Sequence, residues 1–430
     1  MPVAIDIRKA VLGAGLALAA AACQPNSSTS ENQAATDAGS AAAASALSAG
    51  TWRGVLSAQG QEIPFLFDVN TAAGKSTVTL RNGEERLKLD EISVAGDSTT
   101  IRLGVFDAAL VVRADGADKL KGTWVKYDGK EPYRVAFAAT KGAEPLFPVM
   151  ADQKVESFDG TWKVTFKGSD GETYPAVGIF KQEGPNVSGT FLTSTGDYRY
   201  LAGQADGNTL KLSTFDGSHG FLFTAQKQGT ALQGDFYSGK SGHETWTAVL
   251  DPNAKLPDAN ALTGMKPGQK KLDFKFPSVY EGGSISPSDP KYKGKVVVVQ
   301  ILGSWCPNCM DETNFLAPWY EKNKQRGVEI IGLGYERTTD QKVASQKLLK
   351  MKERMNIGYD LAVAGQASSA EASKSLPQLQ KVIAFPTTIF LDKKGEVRKI
   401  HTGYSGPGTG KYYEQEVAEF NKTIDQLLAE

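Results

Sequence analysis

A chain of 430 residues is longer than one hydrophobic core ordinarily serves, so two or three domains are expected. Lys plus Arg and Asp plus Glu both number 48, giving a formal net charge of zero. Without a basic excess there is no electrostatic footprint for nucleic acid or for an anionic membrane surface. The cysteines are Cys23, Cys306 and Cys309. If Cys23 is used elsewhere, the one bond left within the chain is Cys306–Cys309. It closes a loop too short to staple a fold, so the pair is left for chemistry.

The chain opens with Arg8-Lys9 and an apolar stretch from Ala10 to Ala22, followed by Cys23. A charged start, a short apolar stretch and small residues before a cleavage point make residues 1–22 a secretory signal peptide. Ala20-Ala21-Ala22-Cys23 resembles the lipobox of bacterial lipoproteins, with Ala20 where such motifs usually place leucine. On that reading Cys23 is lipidated and the protein is a membrane-anchored lipoprotein facing the periplasm. The alternative is plain secretion to a soluble periplasmic form, with Cys23 removed or free. The apolar stretch is well short of the ~20 residues a membrane-spanning helix needs. Residues 23–48 are Ser, Ala, Thr, Asn and Gly with almost no large apolar side chains, and read as a flexible tether.

Residues 49–142 and 158–250 read as two similar antiparallel β modules, each a small sandwich or barrel. Short alternating runs such as Pro64-Phe-Leu-Phe-Asp-Val69 and Gly220-Phe-Leu-Phe-Thr224 are separated by Gly, Asp and Asn turns. Gly50-Thr51-Trp52-Arg53 recurs as Gly160-Thr161-Trp162-Lys163, and Leu120-Lys-Gly-Thr-Trp124 corresponds to Leu232-Gln-Gly-Asp-Phe236. Asp206-Gly207 and Asp216-Gly217 are hairpin-turn signals rather than ligand clusters. The aromatics either fill the two cores or line a ligand groove. Residues 251–270, with Pro252, Pro257, Gly264, Pro267 and Gly268, form a linker.

Residues 271–430 read as one α/β domain. Leu272 to Ile285 offers a strand or hairpin, and Lys295-Val-Val-Val-Val-Gln-Ile-Leu302 a buried parallel strand with Gly303-Ser304 as its exit. A helix from Cys306 leads to a second buried strand, Val328-Glu-Ile-Ile-Gly-Leu333. An amphipathic helix follows from Asp340 to about Asn356, then a possible strand at 359–363 and a hairpin at 387–400. A last helix from about Tyr412 buries Tyr413, Val417, Phe420, Ile424 and Leu427. The most informative element is Trp305-Cys306-Pro307-Asn308-Cys309 at the strand-to-helix junction. The first sulfur falls at a helix N-terminus, where free N–H groups and the helix dipole favour a thiolate. Spacing by three keeps both sulfurs on one face and within bonding reach.

This order of elements, with the W-C-x-x-C after the first parallel strand and Phe385-Pro386-Thr387-Thr388 before a hairpin, is thioredoxin-like. It resembles the TlpA/ResA-type family of membrane-anchored, extracytoplasmic thiol–disulfide oxidoreductases, and the match also includes Gly294-Lys-Val-Val-Val-Val299, Glu312, Leu391-Asp392 with Gly395, and Gly403. Family members often carry proline five residues beyond the second cysteine, where this chain has Asn314. The resemblance implies Cys306 as a partly exposed nucleophile, Cys309 as the resolving thiol and a redox-active Cys306–Cys309 disulfide. It places Glu312 beneath the sulfurs to take a proton, against the bland reading of a solvated helix carboxylate. It makes Pro386 a cis-proline that presents the Phe385 backbone to substrate, with Trp305 partly packed and partly a contact surface.

The implied activity is thiol–disulfide exchange, in the reductase direction, with protein disulfides or thiols as substrates. A membrane electron donor would restore the dithiol, no cofactor or metal is called for, and the membrane would be touched only through the N-terminal lipid. Two rivals are weaker. A zinc site needs two more ligands at suitable spacing. The peroxiredoxin pattern set on Cys309 demands proline and threonine where Leu302 and Cys306 stand, leaving weak peroxide reduction as a side activity. In a different class, the β modules are a binding or docking protein and the dithiol is secondary. His401, a lone histidine on the hairpin, reads as a satisfied structural residue.

Overall fold

A computed structural model of the chain describes residues 47–142, 145–150 and 153–430. Cys23, the signal peptide and all but the end of the tether lie outside the described residues. Between Gly50–Ala58 and Tyr133–Lys141 nine antiparallel strands form a meander in which the first pairs with the last. The ring is interrupted at one place, between Glu85–Leu89 and Ile92–Ala95, which do not pair. The strand Gly50–Ala58 alternates as a half-buried strand should, with Trp52, Gly54 and Leu56 inward. Gly54 is required by its neighbours: a methyl there would sit 2.8 Å from the Phe65 ring and 2.9 Å from that of Phe137.

The second module, Gly160–Lys167 to Gly242–Leu250, is also a nine-stranded sheet. Here pairing of Thr173–Glu183 with Asn186–Thr193 completes the ring, and the two-residue strand Gly196–Asp197 folds back on Leu192 and Thr193. Both modules are thus barrel-like, and they repeat in detail. The Trp52 indole donates to the Ser48 carbonyl (3.0 Å) and the Trp162 indole to that of Phe158 (2.9 Å), each four residues back. The barrels touch through Phe65 and Phe215 (ring centroids 4.5 Å apart) and through paired hydrogen bonds between Asn82 and the Phe215 backbone.

Residues 251–270 contain no helix or long strand, yet they are packed. Ala254 is buried, Thr263 Oγ1 donates to the Lys381 carbonyl at 2.6 Å, and Met265 bridges to Leu379. Beyond them lies a five-stranded sheet in the order 360–366, 328–336, 296–302, 387–391, 397–402. The first two pairings are parallel and the last two antiparallel. Every residue of Val296–Leu302 is buried, with Val296 and Val298 in one core cluster and Val297, Val299 and Ile301 in another. A strand covered on both faces has no solvent side to show, which is why its sequence is apolar but for Gln300, whose amide is hydrogen-bonded inside the core.

Helices α1 (Pro307–Asn323), α2 (Gln341–Arg354) and α4 (Lys411–Ala429) supply the first cluster, and α3 (Ser369–Ser375) the second. This is the thioredoxin-like arrangement. Helix α1 runs on through Asn314 and carries a proline at Pro318 instead. The buried stripe of α4 is Phe420, Thr423, Ile424 and Leu427, whereas Tyr413 and Val417 are only half-buried. The start of α4 packs on the loop before it, with Tyr413 edge-on to Tyr404 (centroids 6.4 Å apart). Among the described residues no helix is long and apolar enough to cross a membrane.

Candidate active site

Cys306 is the N-cap of α1 and Pro307 its first residue, a position where a missing N–H costs nothing. Cys306 and Cys309 are joined as a disulfide, with Cα atoms 5.2 Å apart. The Cys309 N–H donates to Cys306 Sγ at 3.2 Å, the place a capping oxygen takes in other helices. The Phe385–Pro386 bond is cis, and the Phe385 carbonyl oxygen lies 3.5 Å from Cys306 Sγ. The Pro386 carbonyl accepts from the Gly403 N–H at 2.9 Å. Trp305 is half-buried beside the pair: its indole donates to the Tyr335 carbonyl (2.8 Å), meets the Phe385 ring edge-on (5.5 Å) and lies under the Arg337 guanidinium (4.7 Å).

The expectation that Cys306 is partly exposed is overturned. Its exposure is 5%, and that of Cys309 is 0%. Cys306 belongs to a hydrophobic cluster onto which Trp305, Phe385 and, from the first barrel, Val105 and Phe106 pack. Side chains of the first barrel therefore share the hydrophobic cluster in which the sulfur lies.

Beneath the dithiol, Glu312 is buried and hydrogen-bonded rather than solvated. One oxygen accepts from Thr388 Oγ1 and the other from Gln300 Nε2 (2.8 Å). Tyr359 OH donates to Gln300 Oε1 at 3.0 Å, which fixes the amide with its N–H groups toward the carboxylate. Burial pushes the Glu312 carboxyl up to about 7, and the hydrogen bonds from Thr388 and Gln300 only partly oppose it. His401 bridges Asn260 (3.0 Å) and Glu416 (2.9 Å).

On the other side of α1, next in sequence to Glu312, lies a cluster that the motifs did not announce. Asp311 pairs with Arg199 of the second barrel, which also pairs with Glu85 of the first and places its Nε 3.9 Å from Asp216 Oδ2. All four side chains are buried. Arg199 further donates to the Pro307 carbonyl (3.0 Å), inside the C-x-x-C itself. Asp197 holds the arrangement: its carboxylate accepts from the N–H groups of Arg199 (2.5 Å) and Gly406 (2.6 Å), and its carbonyl accepts from Asn308 Nδ2 (3.1 Å). Ser218 Oγ donates to the Trp305 carbonyl at 3.2 Å.

Burial alone would lower the Arg199 pKa, but the carboxylates of Asp311, Glu85 and Asp216 outweigh it and hold the guanidinium charged. Burial pushes Asp311 up to about 7 despite Arg199, with Asp197 and Glu85 adding to the push. Burial likewise raises Asp197, whereas Asp216, beside His219 and Arg199, is lowered. Gly403 marks how closely the parts approach. It has φ +82°, and a methyl there would lie 2.9 Å from the Thr195 carbonyl carbon of the second barrel.

Residues 266–419 match the Redoxin family model, so the C-terminal part of the chain carries a Redoxin domain. Among curated relatives, the thiol-disulfide oxidoreductase ResA of Geobacillus kaustophilus is 31% identical over 114 residues, 26% of this chain and 57% of the relative. The ResA of Bacillus subtilis is 27% identical over 26% of this chain and 55% of its own length. The thiol:disulfide interchange protein DsbE of Escherichia coli is 23% identical over 39% of this chain and 80% of the relative. The chain thus spans little more than half the length of the ResA proteins it matches. Among solved structures, a thioredoxin-family thiol:disulfide interchange protein from Chlorobium tepidum covers 38% of this chain and 99% of its own length, at 17% identity and a TM-score of 0.29.

Proposed function

We propose that this protein is an extracytoplasmic thiol–disulfide oxidoreductase that reduces protein disulfides through Cys306 and Cys309. The observation that carries this reading is the sulfur pair capping α1, with the Cys309 N–H donating to Cys306 Sγ and the Phe385 carbonyl facing it. A donor aimed at the first sulfur, at the positive end of a helix, favours its thiolate. In the reduced protein the Cys306 thiolate attacks one sulfur of a substrate disulfide. An S–S bond forms between Cys306 and the substrate, and the other substrate sulfur leaves as a thiolate. Cys309 then loses its proton and attacks Cys306, closing Cys306–Cys309 and releasing the second substrate thiolate. Two electrons have passed from protein to substrate, and a thiol donor at the membrane restores the dithiol.

On this reading Glu312, three residues beyond Cys309 and raised to about 7 by burial, accepts the Cys309 proton. The Phe385 backbone before cis-Pro386 would receive an extended substrate segment, with Trp305 as the adjoining surface. The signal-like N-terminus supports export, with Cys23 as the lipid-bearing residue and residues 23–48 as the spacer. The test is insulin reduction driven by dithiothreitol: wild-type protein accelerates it, and Cys306→Ser reduces the rate to that of dithiothreitol alone. Unchanged activity in Cys306→Ser would refute the assignment.

A further inference from the structure

Three strips of the all-β region lie on the residues that frame the dithiol. Residues 197–199 engage the Asn308 side chain, the Pro307 carbonyl and Asp311. The turn after Phe215 places Ser218 on the Trp305 carbonyl. The loop after Arg102 brings Val105 and Phe106 to the cluster that contains Cys306. Exchange requires an incoming sulfur to reach Cys306. With 5% of that residue exposed, a folded protein cannot deliver one while these contacts stand.

The rim of the same contact is a seam of opposite charges. In the ion pairs of this seam the first barrel supplies the acids and the Redoxin domain the cations: Asp128 with Arg337 (2.5 Å), Asp107 with Lys347 (3.0 Å), Asp90 with Arg354 (3.0 Å) and Glu91 with Lys350 (3.9 Å) and Arg354, while Arg102 and Lys126 of the barrel set like charges against Lys350 and Arg337. Most of these side chains still reach solvent, so each pair is weak and screened by salt. A rim of weak, screened pairs can be parted at little cost, which leaves the buried contacts of Arg199 as the main hold on the closed arrangement.

Resting on the exchange chemistry above, we propose that the all-β region is a gate over the dithiol, and that Phe106, Arg199 and Ser218 are specificity-determining residues of its mouth. Closed, the gate shields the Cys306–Cys309 couple from protein disulfides. Parted along the charge seam, it opens a mouth wide enough for a disulfide carried on a protein. The exchange step is the one already written, and only access changes.

The full-length protein tests this with two oxidants, insulin and the small aromatic disulfide of Ellman's reagent. Lys347→Glu sets a like charge against Asp107 and against the buried Glu336 that holds Ser304, so its Asp107→Lys partner is needed to assign the effect to the seam; reversing such a pair is worth roughly fivefold. Insulin reduction is expected to rise by about that factor and the small-disulfide rate by much less. Adding Asp107→Lys re-forms the pair and restores the wild-type ratio. Raising salt from about 0.1 M to about 1 M shortens the screening length from about 10 Å to about 3 Å and accelerates insulin reduction by the wild-type protein. Insulin rates indifferent to both charge reversal and salt would overturn the gate. A wild-type dithiol inert to both oxidants, although its cysteines are alkylated once unfolded, would instead overturn the exchange reading.

Discussion

The dithiol sits between two polar regions built on opposite plans. The floor is Glu312 with Gln300, Thr388 and Tyr359, one acid answered by neutral donors of its own domain. The cover is Asp311, Glu85 and Asp216 gathered on Arg199, acids of the Redoxin domain and both barrels answered by one cation of the second barrel. Glu312 and Asp311 are neighbours on one helix, and burial carries both up to about 7. The same shift therefore has different consequences: the floor stores a proton within a rigid core, and the cover ties separate folding units together. Neutral donors lose little when one is removed, but a buried ion cluster that loses its cation is left with uncompensated charge.

The sharpest test of that contrast is Arg199→Ala, which leaves Glu85, Asp216 and Asp311 facing one another in a dry site. A loss of about 3–5 kcal/mol is expected in chemical denaturation. A loss near 1 kcal/mol, as for an ordinary hydrogen bond, would erase the distinction between cover and floor.

Next in size is the pH dependence due to Glu312. Its folded pKa of about 7 lies above the ordinary 4.5, so its stabilising contribution is complete below about pH 4.5 and is lost as pH rises through 7. Glu312→Gln removes that slope. The difference in unfolding free energy between wild type and variant, measured on the oxidised protein, should change by about 3 kcal/mol from pH 4 to pH 8, with the wild type losing ground at the alkaline end. A difference that does not vary with pH would mean that Glu312 titrates as a solvated carboxylate.

The smallest effect is Tyr359→Phe, which strips the donor from Gln300 Oε1 while the rest of the floor stays in place. About 1–2 kcal/mol is expected by calorimetry, with the Glu312 slope retained. Loss of that slope would show the floor to be less rigid than its hydrogen bonds imply.

The floor was legible in the sequence because its parts are local or repeat a familiar order. The largely apolar run to Leu302 ends just before the C-x-x-C, Glu312 follows Cys309 by three residues on one helix face, and the Phe385-Pro386 pair precedes a fully buried strand. The cover was not. Arg199 meets Glu85 and Asp311 across 114 and 112 residues, and no periodicity encodes a contact of that range. Asp216-Gly217 read as a turn signal, and Asp216 does accept from the Ser218 and His219 N–H groups as a turn aspartate would. Its second oxygen faces the Arg199 side chain, which a turn motif does not disclose. Asp311, in the second turn of α1, carries no motif that separates it from a solvated helix acid. The burial of Cys306 was missed as well: the cluster that holds it takes in Val105 and Phe106, loop residues of a module with no redox motif.

The interrupted ring of the first barrel carries a consequence for how this chain keeps to itself. Strands Glu85–Leu89 and Ile92–Ala95 each leave one edge unladdered, and such an edge is a template on which a stranger's strand can grow. The residues set in the break are Asp90 and Glu91, and the second barrel, whose ring is complete, has no equivalent break. Two acids at the gap repel an approaching backbone strand while they hold Arg354, so the charges that fasten the gate also guard the barrel against fibrous self-association.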